Sequence, residues 1–288
     1  MKLQLKYTVF LFLTTIFVIL YFSNNRQAEE TIIFFPIDSS LHFEHASTHL
    51  TPKVTGDSGD STYSITWKVN SALDQPAYLR QDVSLLYKNG KLAGALKNWR
   101  QNKQELSQKA ESKESESGRY EAVTFHYAEV HPADTIFTSA QQLSKDKLYT
   151  VTSPAFQYFH RPLSEEQIQW KKTLDGLTDQ TVQNGLEKAG QAFQVNLDQY
   201  NIISLTDLPS KKNQWLSAFP QFKREEIVGK LWEGLYKNYV LGIKKEDGST
   251  VSPQGSTIPQ LLMAKNQGEI LVLFTLKDGT PIMLRQKL

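Results

Sequence analysis

The chain of 288 residues contains no cysteine. That excludes disulfides, thiolate catalysis, zinc sites with cysteine ligands and a lipid-modified cysteine after a leader. It also lacks a glycine-rich phosphate loop and a carboxylate-rich calcium loop, so no cofactor is expected on motif grounds. An excess of charge of either sign is missing from the body of the chain. The net charge is +2, yet residues 1–26 hold Lys2, Lys6 and Arg26 and no acid, leaving about −1 for residues 27–288. A nearly neutral body has no electrostatic footprint for DNA or RNA, and no nucleic acid partner is expected. A hydrophobic content of 40% with 11% aromatics is enough for a real core in one large domain or two ordinary ones.

Long apolar runs are absent with one exception. Residues 7–22 (YTVFLFLTTIFVILYF) carry no charge, glycine or proline. As a helix they span roughly 24 Å, somewhat short of a hydrocarbon layer of about 30 Å. Leu3, Leu5 and Ser23-Asn24-Asn25 extend the run, and Lys6 snorkels. A cut after Ala28 would place Arg26 where a leader peptidase needs a small side chain, which favours an uncleaved signal-anchor. Lys2 and Lys6 precede the run while Arg26 alone follows closely. The positive-inside rule then puts the N-terminus in the cytoplasm and residues 27–288 outside, a single-pass protein of the cell membrane. The membrane, through residues 7–22, is the first expected partner.

The expected fold class is α+β: an N-terminal transmembrane helix (1–26), a β-rich antiparallel half (27–163) and a helical half ending in a β-hairpin (164–288). Residues 31–37 (TIIFFPI) are apolar and β-prone. Tyr63, Ile65, Trp67 and Val69 alternate with polar residues, as do Val123, Phe125 and Tyr127. Asn89-Gly90 between residues 83–87 and 91–96 is a strong hairpin signal. Residues 101–118 (QNKQELSQKAESKESESG) read as a solvated excursion of low complexity. After Pro162 the period changes. Ser164 and Gln167 form a capping box, Gly176 divides two helices, residues 222–239 make the clearest amphipathic helix, and Pro259 opens a short helix ending near Gly268. Residues 269–276 then pair with 282–284 across Asp278-Gly279.

Several groups of residues invite a chemical reading. Gly56-Asp57-Ser58-Gly59 resembles the nucleophile segment of trypsin-like proteases and of GDSL-type esterases. The resemblance stops at those residues, and the last histidine is His160, so a turn is expected. His42, Glu44, His45 and His49 are the sharpest cluster. On a helix His45 and His49 share a face with His42 one turn earlier, a set able to hold Zn²⁺ or Cu²⁺. Glu129 and His131 share a strand face, an acid–base pair or half a metal site, with His126 on the other face. Tyr149, Phe156, Tyr158 and Phe159 form an aromatic strand face, and Trp215, Trp232, Tyr236 and Tyr239 read as inter-helix packing. Glu165-Glu166 and Glu225-Glu226 complement helix dipoles in first turns.

These readings point to a non-catalytic, membrane-anchored extracytoplasmic module that engages an envelope protein or a wall polymer. The rival is a metal-assisted hydrolase of an envelope substrate using His42, His45 and His49.

Overall fold

One strand, β2 (Tyr63–Lys88), runs for 26 residues and organises the first half of the molecule. The computed structural model describes residues 34–55, 62–133, 136–153, 155–244 and 248–288. The apolar run at 7–22 and Gly56-Asp57-Ser58-Gly59 lie outside them. Along one edge β2 pairs first with β1 (Phe43–Val54) and then with β5 (Gly118–Ala133). Along the other it pairs with β4 (Trp99–Glu114) and β3 (Lys91–Leu96). β6 (Ile136–Val151) joins β5, and the short β7 (Gln157–Phe159) joins β6, all antiparallel. Register shifts between Ala72 and Ala77 and between Arg80 and Val83 bend β2 midway, with Pro76 exposed at the bend. Bulges of this kind increase local twist, so the sheet curls over itself. Leu50, Tyr63, Ile65, Trp67, Tyr120 and Leu148 fill one core inside the curl, and Leu73, Leu79, Leu106 and Ala128 fill a second.

The hairpin expected at Asn89-Gly90 is present, with both residues at positive φ (49° and 83°) as a type I′ turn demands. Two expectations fail in this half. Residues 63–70 and 83–87, read as separate strands, are parts of β2. The solvated excursion at 101–118 is largely strand β4. Its inward positions are Leu106, Gln108, Ala110, Ser112 and Glu114, alternating with exposed polar residues. Only one of those five is a large apolar side chain, so the period of two is invisible to a hydrophobicity reading. The free edge of β2 needs its backbone groups paired, and β4 supplies the partners.

Helix α1 (Glu165–Ala192) opens the second half, capped by the Ser164 side chain accepting from the Gln167 backbone N–H at 3.2 Å. Gly176 does not divide it. That glycine lies on the exposed side, and tertiary packing through Leu174, Leu186 and Ala189 outweighs its intrinsic cost of about 1 kcal/mol. Four antiparallel strands follow in the order β13 (Pro281–Lys287), β12 (Glu269–Thr275), β11 (Gln260–Ala264), β8 (Tyr200–Ser204). The short helix expected after Pro259 is in fact β11. All five of its residues are buried between two neighbouring strands, so it shows a continuous apolar run and no alternation. Leu262, Leu271 and Leu273 face α1. The other face meets α3 (Gln221–Leu235), where the Gln286 amide donates to the Ile227 carbonyl, and a π-helical turn (Tyr236–Val240) that packs Tyr239 on Phe274. Between β8 and α3 lies the short helix α2 (Leu208–Trp215). Two-residue strands β9 (Ile243–Lys244) and β10 (Thr250–Val251) complete the description.

The change of period near residue 163 marks a change of architecture inside one compact unit, Phe34–Leu288. Trp232 of α3 stacks on Tyr127 of β5 at 4.1 Å between ring centres, and the Arg80 guanidinium of β2 lies over Trp232 and Tyr236 at 4.8 and 4.9 Å. The four aromatics expected to pack helix on helix therefore serve mainly to seat helix on sheet. Arg119 of β5 adds ion pairs to Asp175 and Asp179 of α1. Trp232→Ala removes the stack and the platform under Arg80. It is expected to cost about 3–5 kcal/mol in urea unfolding. Backbone circular dichroism and tryptophan fluorescence should report one coincident transition in the native protein; two separated transitions would show that the halves unfold independently.

Candidate functional site

The structure disperses the histidine cluster. Residues 43–54 form a strand and not a helix, because β-branched and polar residues there alternate against β2. His45 and His49, four strand residues apart, stand roughly 13 Å from one another along the chain, too far to share an ion. The His45 imidazole meets the Ser47 hydroxyl at 2.9 Å, and the exposed His42 lies 3.3 Å from Asp74. Among the described residues no group of three or more His, Asp or Glu side chains is placed to hold a metal.

Glu129 and His131 do share a face of β5, 4.0 Å apart, but Glu129 is buried and engaged by Arg80 at 2.8 Å. Arg80 also pairs with Asp82, whose carboxyl burial raises above the ordinary range in spite of that cation. Tyr149 stacks on Phe159 at 5.1 Å and donates to Asp175, so this aromatic face is core under α1; Tyr158 alone points out. Burial works against ionisation of Asp175, yet the hydrogen bonds from Lys171 and Tyr149, with Arg119 beside them, hold its pKa below the ordinary value. Glu165 and Glu166 sit in the first turn of α1 as expected. Glu225 and Glu226 fall one turn into α3, which starts at Gln221, and they pair with Lys212 and with Lys223 and Lys230.

His126 is sealed inside the curled sheet. Its Nδ1 is 2.7 Å from the Ser71 hydroxyl and its Nε2 2.7 Å from the Ser144 hydroxyl. The Gln81 amide donates to Ser71, and Ser144 contacts Thr48, which donates to Thr124. One set of directions satisfies this chain: Ser71 donates to Nδ1, and Nε2–H donates to Ser144. The imidazole is then neutral, and burial, with His45 nearby, lowers its pKa to about 3. The imidazole is wholly buried, Ser144 is partly exposed, and both serine contacts join facing strands of the sheet.

What the sequence did not disclose is a trough at the end of the four-stranded sheet. Pro209 lies in the first turn of α2, whose Trp215 is buried and donates its indole N–H to the Asn201 carbonyl of β8 at 3.0 Å. Asp207 holds the helix start through Lys211 at 2.8 Å and through Lys145 of β6 at 3.4 Å. Burial works against its ionisation, yet Lys211, Lys145 and Lys147 keep the Asp207 pKa below the ordinary value. Between α2 and the sheet lies an open depression of about 460 Å³, floored by Met263 and Ala264 and rimmed by Lys211, Gln214, Lys265 and Gln267. A second depression of about 450 Å³ shares Ala264 and Lys265 and continues round the β11–β12 turn to Glu269 and Lys287. The two depressions, which share Ala264 and Lys265, are together called the trough, and amides and lysines are prominent in its lining. Its acid, Glu269, is already engaged by Tyr200 at 2.8 Å and Arg285 at 3.1 Å. The local chemistry suits an extended anionic ligand. No single motif encodes it, because Asn201, Trp215 and Lys265 come from three separate elements.

The buried histidine gives a pH test. Its folded pKa is depressed below the unfolded value of about 6.5, so the unfolded chain binds the extra proton. Stability from the neutral imidazole is complete above about pH 6.5 and is lost as pH falls toward 3, at up to roughly 1.4 kcal/mol per pH unit. Denaturant titrations at a series of pH values should show that slope, and His126→Gln should flatten it.

The chain was compared with family models, curated proteins and solved structures, and it matches none of them.

Proposed function

We propose that this chain is a non-catalytic binding module, anchored in the cell membrane by residues 7–22 as a transmembrane helix and folded outside the cytoplasm. Its ligand in this reading is an extended anionic chain of the cell envelope, either a wall polymer or an acidic segment of an envelope protein. The observation that carries the ligand class is the trough, where Lys265 and Lys287 stand beside Lys211, itself paired with Asp207, and the one carboxylate of the lining, Glu269, is already paired. Its open walls fit a polymer that continues past both ends, and its amides from Asn201, Gln214, Asn266 and Gln267 offer hydrogen bonds along the path. The anchor rests on the sequence: no charge in the run, two lysines before it, and nearly neutral residues after it. Among the described residues no helix is long and apolar enough to cross a membrane, so the run at 7–22 is the candidate.

Two measurements test this. In intact cells, external protease should digest residues beyond 27 while the protein stays in the membrane fraction after alkaline carbonate. Full-length protein should co-sediment with purified wall material in a salt-sensitive manner, since exposed charge contacts are screened at a Debye length near 8 Å in physiological salt. Lys265→Glu with Lys287→Glu should weaken retention about tenfold, equivalent to about 1.4 kcal/mol. Retention unchanged by the charge reversal, with no photo-crosslink from position 267 to any envelope protein, would remove the trough as the binding site.

A further inference from the structure

Five aromatic rings form an unbroken stripe across one margin of the curled sheet. Trp99 of β4 stacks on Tyr78 of β2 at 5.8 Å, and Tyr78 stacks on His131 of β5 at 5.3 Å. His131 meets the edge of Phe137 of β6 at 4.6 Å, and Phe137 stacks on Phe35 at 5.1 Å. The stripe is open to solvent at two points, Trp99 at 54% and the exposed His131, and Ile136, which precedes Phe137 at the start of β6, is 54% exposed. The neighbouring part of the same face is covered, because Tyr127 and Arg80 lie under Trp232 and Tyr236.

The stripe ends at Phe35, next to Phe34, where the described residues begin. The Phe34 N–H donates to Glu233, and its ring fills the place a Cβ on Gly229 would need, 2.0 Å away. The Phe35 N–H donates to the Tyr127 hydroxyl, and Pro36 and Asp38 exchange backbone hydrogen bonds with Ser139 of β6. This segment is therefore fixed beside Phe137. Residues 23–33 are all that separate the apolar run from Phe34, a reach of at most about 40 Å when extended. At the other end of the stripe, Lys97, Arg100 and Lys103 are exposed around Trp99, with no acid among residues 97–103.

We propose that this stripe lies on the outer surface of the membrane, with Trp99, Tyr78 and Ile136 in the headgroup region and the three cations against anionic phosphates. The inference rests on the anchored reading given above. Amphipathic rings with adjacent basic residues are the side chains that the bilayer interface favours. A tether that enters at one end of such a row holds the row near the lipid, so association is intramolecular and needs little affinity of its own. The contact would set which way the trough faces.

The test uses the full-length chain reconstituted in vesicles of equimolar phosphatidylcholine and phosphatidylglycerol, with or without bromine on the acyl chains near the headgroups. Trp99 is the one exposed tryptophan among five, so brominated lipid should quench part of the wild-type emission, and Trp99→Phe should abolish most of that difference. Ile136→Asp leaves Trp99 in place and should also reduce the quenching, while unchanged thermal unfolding shows that both variants fold. Equal quenching in wild type and Trp99→Phe would overturn the proposal. So would no quenching in protein that remains in the vesicles after a carbonate wash, and a photo-crosslink from position 99 to one protein would then assign the stripe to a protein partner. Release by the wash overturns the anchor, and the stripe contact with it.

Discussion

Strand β2 must satisfy the backbone groups of 26 residues on two edges, and most of the architecture is a solution to that demand. No single neighbour is long enough. β1 and β5 share one edge and β4 and β3 the other, with the changeovers placed close to the register shifts. Because the shifts bend the strand at residues 72–83, its two ends belong to opposite walls of the curl. The bend also sets Tyr78, Arg80 and Asp82 at one corner. Arg80 is held there by Asp82 and Glu129, and its flat guanidinium gives Trp232 a surface to cover. The docking of α3 thus depends on where β2 bends.

The walls of the curl meet partly through polar side chains. Thr48, Ser71, Gln81, Thr124 and His126 are fully or nearly fully buried, Ser144 is partly buried, and the six are bonded in one chain. Apolar residues of similar size would avoid the desolvation cost of these groups. A hydrogen-bonded chain, however, is satisfied in one register only, whereas an apolar seam tolerates a slip by two residues. In a sheet whose central strand changes partners midway, that selectivity has value, since β1 and β4 pair with the same residues of β2 on opposite edges.

The sequence was readable where local chemistry decides and opaque where neighbours decide. Asn89-Gly90 names its own turn, Ser164 and Gln167 name the start of α1, and residues 269–276 with Asp278-Gly279 name the last hairpin. The mixed, strand-rich character of the chain was legible from the same signals. β4 escapes a sequence reading because its inward residues are mostly short and polar. β11 reads as a helix because burial on both faces erases alternation. Gly176 reads as a break because its cost is local while the packing that offsets it comes from β12. The trough and the stripe were beyond reach for a further reason. Each gathers side chains from three or more elements: Trp99, Tyr78, His131 and Phe137 are neighbours only once β4, β2, β5 and β6 are in register. The histidines at 42, 45 and 49 show the converse, being close in sequence and held apart by an extended backbone.

The way β8 is finished limits how the trough could recognise anything. β8 is a terminal strand of its sheet, and an uncovered terminal strand invites another chain to add to it through main-chain hydrogen bonds. Here the Trp215 indole occupies the Asn201 carbonyl, and α2 is tied down at its start by Asp207 with Lys211 and Lys145 and at Lys212 by Glu225. Strand addition at Asn201 would require that helix to leave, with loss of a buried tryptophan and its hydrogen bond. The trough is left with side chains as its means of recognition, chiefly amides and lysines on a small apolar floor. Under the binding role proposed above, such a surface would read charge and chain shape more than sequence, which favours a repetitive ligand over a unique peptide.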